Sequence, residues 1–437
     1  MKDASRRKFL TTQAPLATVA AASLTTVHSE AQQPKTKLIF GIVGCGGIMS
    51  LHVQGLVNRH DDVEIAWLCD VDDAQTERMS RFVRQEFQPK SPKRTRRYEE
   101  VIQDKNVDAI VIATPHHWHA PIALAAMREG KHVYIEKPIS HVYNEGHAII
   151  KAARQYGCVV QQGSQMRNSP VTAKAEKLLK EGIIGEVKVA RAWTAETRNV
   201  AKPVPDTATP LNVDYDRWLG PAPRRDFNRQ RFHGSWRMFQ DYGNGEIGDD
   251  GIHDLDMAAW GLGVDRLPKQ ITARGSRMML HGHASEYPDN MNVAYEYDDG
   301  RLLIYENYPF TAYGLHGFDN GNVFYGTEGY MIFSRRGAFS VFLGPKNKPG
   351  PTEGQEIRGS RGYAEHMHEF QQAIRTGSAT KANAQTAHYS CALVHLGEIA
   401  YRTEGRLDFD PAKEEFVNND EANALLTKKY REPYTLG

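Results

Sequence analysis

The run Leu38-Ile39-Phe40-Gly41-Ile42-Val43-Gly44-Cys45-Gly46-Gly47-Ile48 decides the fold. An apolar run of strand length enters a cluster of small residues. It leaves into Met49 to His60, where Leu51, Val53, Leu56 and Val57 are spaced as on one face of a helix. The reading is strand, tight turn, helix. Gly44 permits the turn and Gly46 lets the backbone approach a pyrophosphate. The helix start beyond offers unpaired N–H groups and a positive dipole end. The third glycine of a G-x-G-x-x-G pattern is replaced by Met49, so the turn alone is a weak signal.

The next strand supplies the second signal. Val63 to Cys69 is again apolar and ends in Asp70, placed to accept hydrogen bonds from a ribose diol. A carboxylate there repels a 2′-phosphate, and Val71 follows where an arginine would suit one. NAD is therefore expected over NADP. From Lys37 to about Gly163, strand-like runs (109–113, 132–135, 159–162) alternate with helical ones (121–129, 143–156), which implies parallel strands with helical crossovers. Ligands of such a sheet lie beyond the carboxyl ends of its strands.

Two of those ends carry further chemistry, Thr114-Pro115-His116-His117-Trp118-His119 and Glu136-Lys137-Pro138. A lysine held at a strand end can polarise a substrate hydroxyl as hydride leaves. Together, Gly44-Cys45-Gly46-Gly47, Cys69-Asp70-Val71-Asp72, Thr114-Pro115 with His119, and Gly130-Lys131-His132-Val133-Tyr134-Ile135-Glu136-Lys137-Pro138 resemble the Gfo/Idh/MocA oxidoreductase family, which includes glucose-fructose oxidoreductase and inositol dehydrogenase. The resemblance continues in Tyr242-Gly243-Asn244-Gly245-Glu246-Ile247-Gly248-Asp249-Asp250-Gly251-Ile252-His253, similar to the family's glycine-rich turn followed by an aspartate and a histidine.

The resemblance implies that Lys137, Asp249 and His253 are catalytic. It implies that Gly44, Gly46, Gly47, Ile48, Asp70, Thr114, Pro115, His119, Glu136, Lys137 and Gln165 hold NAD. The spacing of Asp249 and His253 independently allows both to point at one ligand from a helix face. His253 is expected to take the hydroxyl proton, Asp249 to orient it or bind a neighbouring hydroxyl, and Lys137 to stabilise the alkoxide. Arg167, Trp236, Tyr242 and His233 are expected to face a sugar, whose hydroxyls need polar forks and whose C–H face needs an aromatic ring.

The expected fold is α/β: an N-terminal Rossmann doubly wound parallel sheet over 36–163, then a substrate-binding α+β domain with an open, mostly antiparallel sheet over 164–410. A tail, 411–437, is expected to pack on the body. Residues 1–31 read as a twin-arginine export signal: Ser5-Arg6-Arg7-Lys8-Phe9-Leu10, an alanine-rich apolar segment too short to span a bilayer, and small residues around Ser29-Glu30-Ala31. Export to the periplasm would suit an enzyme that holds its NAD tightly and regenerates it in every turnover.

The 437 residues carry a net charge of +1, with 40% hydrophobic and 24% charged residues, so neither nucleic acid nor a membrane surface is expected as partner. The basic run Lys90 to Arg97 reads as a solvated loop. Four cysteines make no disulfide framework, and all four read as buried thiols, Cys45 and Cys69 as neighbours. His388 and His395 read as structural. No metal is expected: His116, His117 and His119, even with Asp249 and His253, lack the zinc helix motifs. A homodimer or homotetramer, paired through the open sheet, is implied by the resemblance.

Three activities compete. The first is oxidation of a secondary hydroxyl of a sugar, polyol or glycoside by recycled NAD. The second is NAD-dependent glycoside hydrolysis by transient oxidation, elimination, hydration and re-reduction, with Tyr242, His233 or Asp250 as the extra acid or base. The third is non-catalytic sugar binding.

Overall fold

The computed structural model describes residues 37–59, 61–195, 202–278, 282–308, 314–354 and 362–436. The export segment read in residues 1–31 lies outside them. Strands β1 (Leu38–Val43), β2 (Val63–Cys69), β3 (Lys93–Thr95), β4 (Ala109–Ile112), β5 (His132–Ile135) and β6 (Val160–Gln162) form one parallel sheet in the order 3-2-1-4-5-6. Helices α1 (Gly47–Leu56), α2 (Asp73–Glu86), α3 (Tyr98–Gln103), α4 (His119–Arg128) and α5 (Tyr143–Tyr156) lie between them. The strand order reverses between β1 and β4, which opens a crevice over the strands' carboxyl ends.

β1 is apolar along its length because both faces of the sheet are covered; only Ile39 is not fully buried. The basic run departs from expectation, since Lys93–Thr95 is an edge strand and not a loop. Its exposed cations suit an edge that must not recruit another chain, and the Lys93 ammonium lies 4.7 Å from the centre of the Trp67 ring on the neighbouring strand. All four cysteines are free and buried, with the Cys45 thiol 3.6 Å from the Cys69 carbonyl oxygen.

The second sheet contains β7 (Val187–Thr194), β8 (Gln270–Ser276), β9 (Asn290–Glu296), β10 (Leu302–Asn307), β11 (Asn320–Gly326), β12 (Gly329–Ser334), β13 (Ala338–Leu343), β14 (Lys348–Glu353), β15 (Arg406–Asp410) and β16 (Glu415–Phe416). Its order is 14-13-12-11-7-10-9-8-15-16, antiparallel except for the β7–β10 pair. The accompanying helices are α6 (Pro170–Lys180), α7 (Tyr215–Leu219), α8 (Gly245–Asp249), α9 (Gly251–Leu262), α10 (Tyr363–Thr376), α11 (Ala384–Arg402) and α12 (Asp420–Ala424). Burial alternates along β9 and β10, as in a sheet with one covered face, and α9 and α11 pack on it. No helix among the described residues is long and apolar enough to cross a membrane.

Three later segments return to the first sheet. Met367 and Phe370 of α10 join the core of Phe40 and Tyr134, with the Phe370 ring 6.0 and 5.9 Å from those two rings. The segment 202–243 crosses the end of β2 as a strap. Asp214 N donates to Val71 O at 2.9 Å, the Arg217 guanidinium pairs with Glu99 at 3.1 Å, and the Trp118 indole N–H donates to Arg217 O. The tail follows α5, where Lys428 pairs with buried Glu145 at 2.8 Å, and reaches the strap through Arg431 and Asp216 at 2.6 Å.

Candidate active site

The turn after β1 is built for a close backbone approach. Gly44 has φ of +91°, and a Cβ there would sit 2.5 Å from Ala113 O on the next loop. At Gly46 and Gly47 a Cβ would meet nothing within 4 Å, so the chain presents bare backbone to open space. α1 starts at Gly47 with no side-chain cap and no acidic residue in its first turn, leaving its first N–H groups for an anion. These features fit the pyrophosphate of a dinucleotide.

Asp70 ends β2 and fits the adenosine ribose. Its Oδ2 accepts from Cys45 N at 2.8 Å and its Oδ1 from Asp72 N at 3.0 Å. Each oxygen keeps a lone pair for a diol. Burial raises the Asp70 pKa, against the pull of those two N–H donors. A cavity of about 330 Å³ runs from Asp70 past Thr114 and Pro115 to Lys137 and Asp249. Arg96 and Tyr98 line its adenosine end together with Arg217 and Trp218 of the strap.

The far end holds the reactive groups. Lys137, just past β5, donates from Nζ to the Asp249 carbonyl and to Asp249 Oδ1, the latter at 3.0 Å. Arg237 Nε donates to the same Oδ1 at 2.8 Å while its guanidinium lies 4.3 Å from the centre of the Trp236 ring. Behind Lys137, the buried Glu136 carboxylate pairs with His52 of α1 at 2.8 Å. Burial alone would raise the Glu136 pKa, but the His52 hydrogen bond and the nearby positive charges hold it down to about 2.

A second cavity, of about 280 Å³, shares Ile48, Glu136 and Lys137 with the first. It is lined on the other side by Gln165, Asp250, His253 and Arg335. Burial, then the Lys137 and Arg335 charges, lower the His253 pKa to about 3, so the ring is neutral at physiological pH. The helical spacing of Asp249 and His253 therefore resolves differently from the expected single target. α8 ends at Asp249 and α9 starts at Gly251, so Asp249 faces the first cavity and His253 the second. Lys137 lines both.

The other expected residues divide. Gly44, Gly46, Gly47, Ile48, Asp70, Thr114, Pro115, His119, Glu136 and Trp236 all line the first cavity, while Gln165 lines only the second. His119 also braces two strand-end loops, its ring nitrogens 2.7 Å from Pro138 O and 2.9 Å from Thr114 O. His117 is similarly committed to Trp218 O, and His116 to Asn244.

Three substrate expectations are corrected. Arg167 lines neither cavity: its guanidinium is locked bidentate on buried Asp256, at 2.6 to 3.1 Å. Tyr242 is fully buried among Trp218 and His117. His233 lines the first cavity, but its Nε2 pairs with Asp72 Oδ2 at 2.7 Å, beside the adenosine end. Sequence reasoning missed Arg237 and Arg335. Arg237 adjoins the Trp236 already singled out; Arg335 sits in an ordinary strand-turn-strand and carried no signal.

Two sequence models cover most of the chain. "Oxidoreductase family, NAD-binding Rossmann fold" matches residues 38–164, and "Oxidoreductase family, C-terminal alpha/beta domain" matches 175–328 and 351–436. Levoglucosan dehydrogenase of Pseudarthrobacter phenanthrenivorans is 24% identical over 328 residues, 64% of this chain and 75% of that one. Myo-inositol 2-dehydrogenase of Thermotoga maritima is 24% identical over 350 residues, 77% and 88%. A levoglucosan dehydrogenase structure in complex with NADH and levoglucosan superposes with a TM-score of 0.66 at 20% identity, covering 85% of this chain and 99% of that one. With both domain models matched in order and the glycine turn, Asp70 and Lys137 lining one cleft, the chain belongs to the Gfo/Idh/MocA family of NAD-dependent oxidoreductases.

Proposed function

We propose that this enzyme oxidises a secondary hydroxyl of a sugar, polyol or glycoside and retains its NAD between turnovers. The observation that carries the reading is Lys137 at the junction of two cavities, one fitted to a dinucleotide and the other lined by His253 and Asp250. NAD, when bound, supplies the hydride acceptor. The reacting hydroxyl sits at Lys137, whose ammonium stabilises the oxyanion as the proton leaves. His253 is neutral, so a ring nitrogen has a lone pair with which to accept that proton. Asp249 Oδ1 fixes Lys137 and Arg237. The Trp236 ring, held by Arg237, offers a flat face to a sugar.

Retention rests on the strap, which closes the adenosine end with contacts to Val71, Asp72 and Glu99. A retained, recycled cofactor agrees with the proposed export of the folded protein to the periplasm by the twin-arginine signal in residues 1–31. The proposed assembly is a homodimer or homotetramer through the open sheet.

A redox-neutral glycoside hydrolase is the second reading. A Glycosyl hydrolase family 109 protein of Shewanella pealeana is 28% identical over 152 residues, 34% of this chain. Incubating the protein without added NAD in heavy water with a panel of nitrophenyl glycosides separates the two. Nitrophenol release with deuterium beside the oxidised carbon identifies the hydrolase. Oxidised sugar formed only with an added acceptor identifies the oxidoreductase. Lys137→Ala is expected to abolish turnover while sparing bound NAD, and unchanged turnover refutes both.

A further inference from the structure

Away from both cavities, α5, α11 and the turn between β15 and β16 bring three metal-ligating side chains together. His147, His388 and Glu414 each offer an atom, and these atoms lie within 4.8 Å of one another. His147 Nε2 is 2.5 Å from Glu414 Oε2, and His388 Nε2 is 3.9 Å from the same oxygen. The Tyr143 hydroxyl, one helical turn before His147, donates to that oxygen at 2.6 Å.

Two further observations point to a ligand. His388 is fully buried, yet neither ring nitrogen has a hydrogen-bond partner. Buried polar atoms are normally satisfied, because leaving one unpaired costs about 1–3 kcal/mol. The fold also makes room for this ring: a Cβ at Gly146 would lie 2.2 Å from His388 Nδ1.

We propose that His147, His388 and Glu414 bind a zinc-like divalent cation that staples α5 to α11 and the β15–β16 turn. Two imidazoles and one carboxylate suit zinc, whereas calcium and magnesium prefer all-oxygen shells. Zinc bonds of about 2.0–2.1 Å place tetrahedral ligands roughly 3.3 Å apart, a spacing bracketed by the present separations. His147 and Glu414 are 41% and 31% exposed, which gives an ion a route in and water a fourth position. Binding of a divalent cation here involves no change of oxidation state.

The test uses the full, untagged chain stripped with EDTA, then equilibrium dialysis against micromolar zinc chloride and cobalt(II) chloride. One ion per chain is expected, with the visible absorption of tetrahedral cobalt and a zinc-dependent rise in Tm. His147→Ala and Glu414→Gln should each lower the stoichiometry to zero and remove the Tm response, with bound NAD and turnover unchanged. Partly exposed His147 can be replaced without opening the core, so its variant remains a folded control. Absence of binding by the parent chain overturns the proposal, as does undiminished binding by the two variants.

Discussion

Replacing His52 with leucine tests how the reactive end of the cleft is held. His52 and Glu136 are 1% and 8% exposed at the side chain and 2.8 Å apart, so the substitution strands a carboxylate behind Lys137. Holding the Glu136 carboxyl at about 2 against its ordinary 4.5 corresponds to about 3 kcal/mol at neutral pH. Removing one partner of a buried pair costs a similar amount, about 3–5 kcal/mol. At an unfolding entropy of about 2.1 cal/mol/K per residue, a chain of this size should lose roughly 4 °C in Tm.

The pH dependence has a definite sign. A depressed carboxyl pKa stabilises the fold fully above the ordinary value, and the contribution is lost as pH falls towards the folded value. The stability difference between parent and His52→Leu should therefore be constant above about pH 6 and narrow below pH 5, falling to about 1 kcal/mol by pH 3. Calorimetry across that range reads both. A gap that stays constant with pH assigns the effect to packing and refutes the charge argument. No gap refutes the pairing altogether.

Asp249→Asn should lower kcat about a hundredfold with bound NAD unchanged, because it loosens Lys137 and Arg237 rather than the cofactor; steady-state kinetics and cofactor absorbance check this. Gly46→Val should empty the protein of NAD, since its side chain enters the cleft, and leave Tm within about 1 °C of the NAD-free parent, whereas Gly44→Ala should lower Tm outright through strain at φ +91°. Arg167→Ala should cost about 3–5 kcal/mol of stability by stranding buried Asp256 while KM stays within twofold, and a large KM rise at unchanged stability would return Arg167 to the substrate.

The first domain was legible because its signals are local. A buried parallel strand reads as a continuous apolar run, so Val63–Cys69 and His132–Ile135 appear in the sequence with the limits they have in the fold. Gly44 and Asp70 were legible because a turn or a strand end demands a residue type. Lys137 was legible through the Glu-Lys-Pro segment that carries the family resemblance. Residues whose role depends on a distant partner were not: Arg167 is chemically fit for a sugar, and only the fold shows Asp256 claiming it. Likewise the i, i+4 spacing of Asp249 and His253 says nothing of Lys137 reaching in to divide their surroundings. Strands such as β8 and β15 went unread because half-exposed strands in a large sheet carry mixed residues and are set by pairing.

Helix α10 has a consequence for anyone dissecting this molecule. It starts 207 residues beyond the end of α5 (Tyr156 to Tyr363), the last helix of the NAD-binding half, yet Met367 and Phe370 close that half's core over Phe40 and Tyr134. A fragment ending near residue 163 would bare this apolar face to water, at roughly 1.5–3 kcal/mol for each large side chain uncovered. Such a fragment should aggregate rather than fold, and chimaeras that exchange the cofactor module must carry 363–376 with it. During synthesis the core beneath the dinucleotide cleft stays uncovered until the ribosome has delivered most of the second sheet, so stable cofactor capture is a late event in the life of the nascent chain.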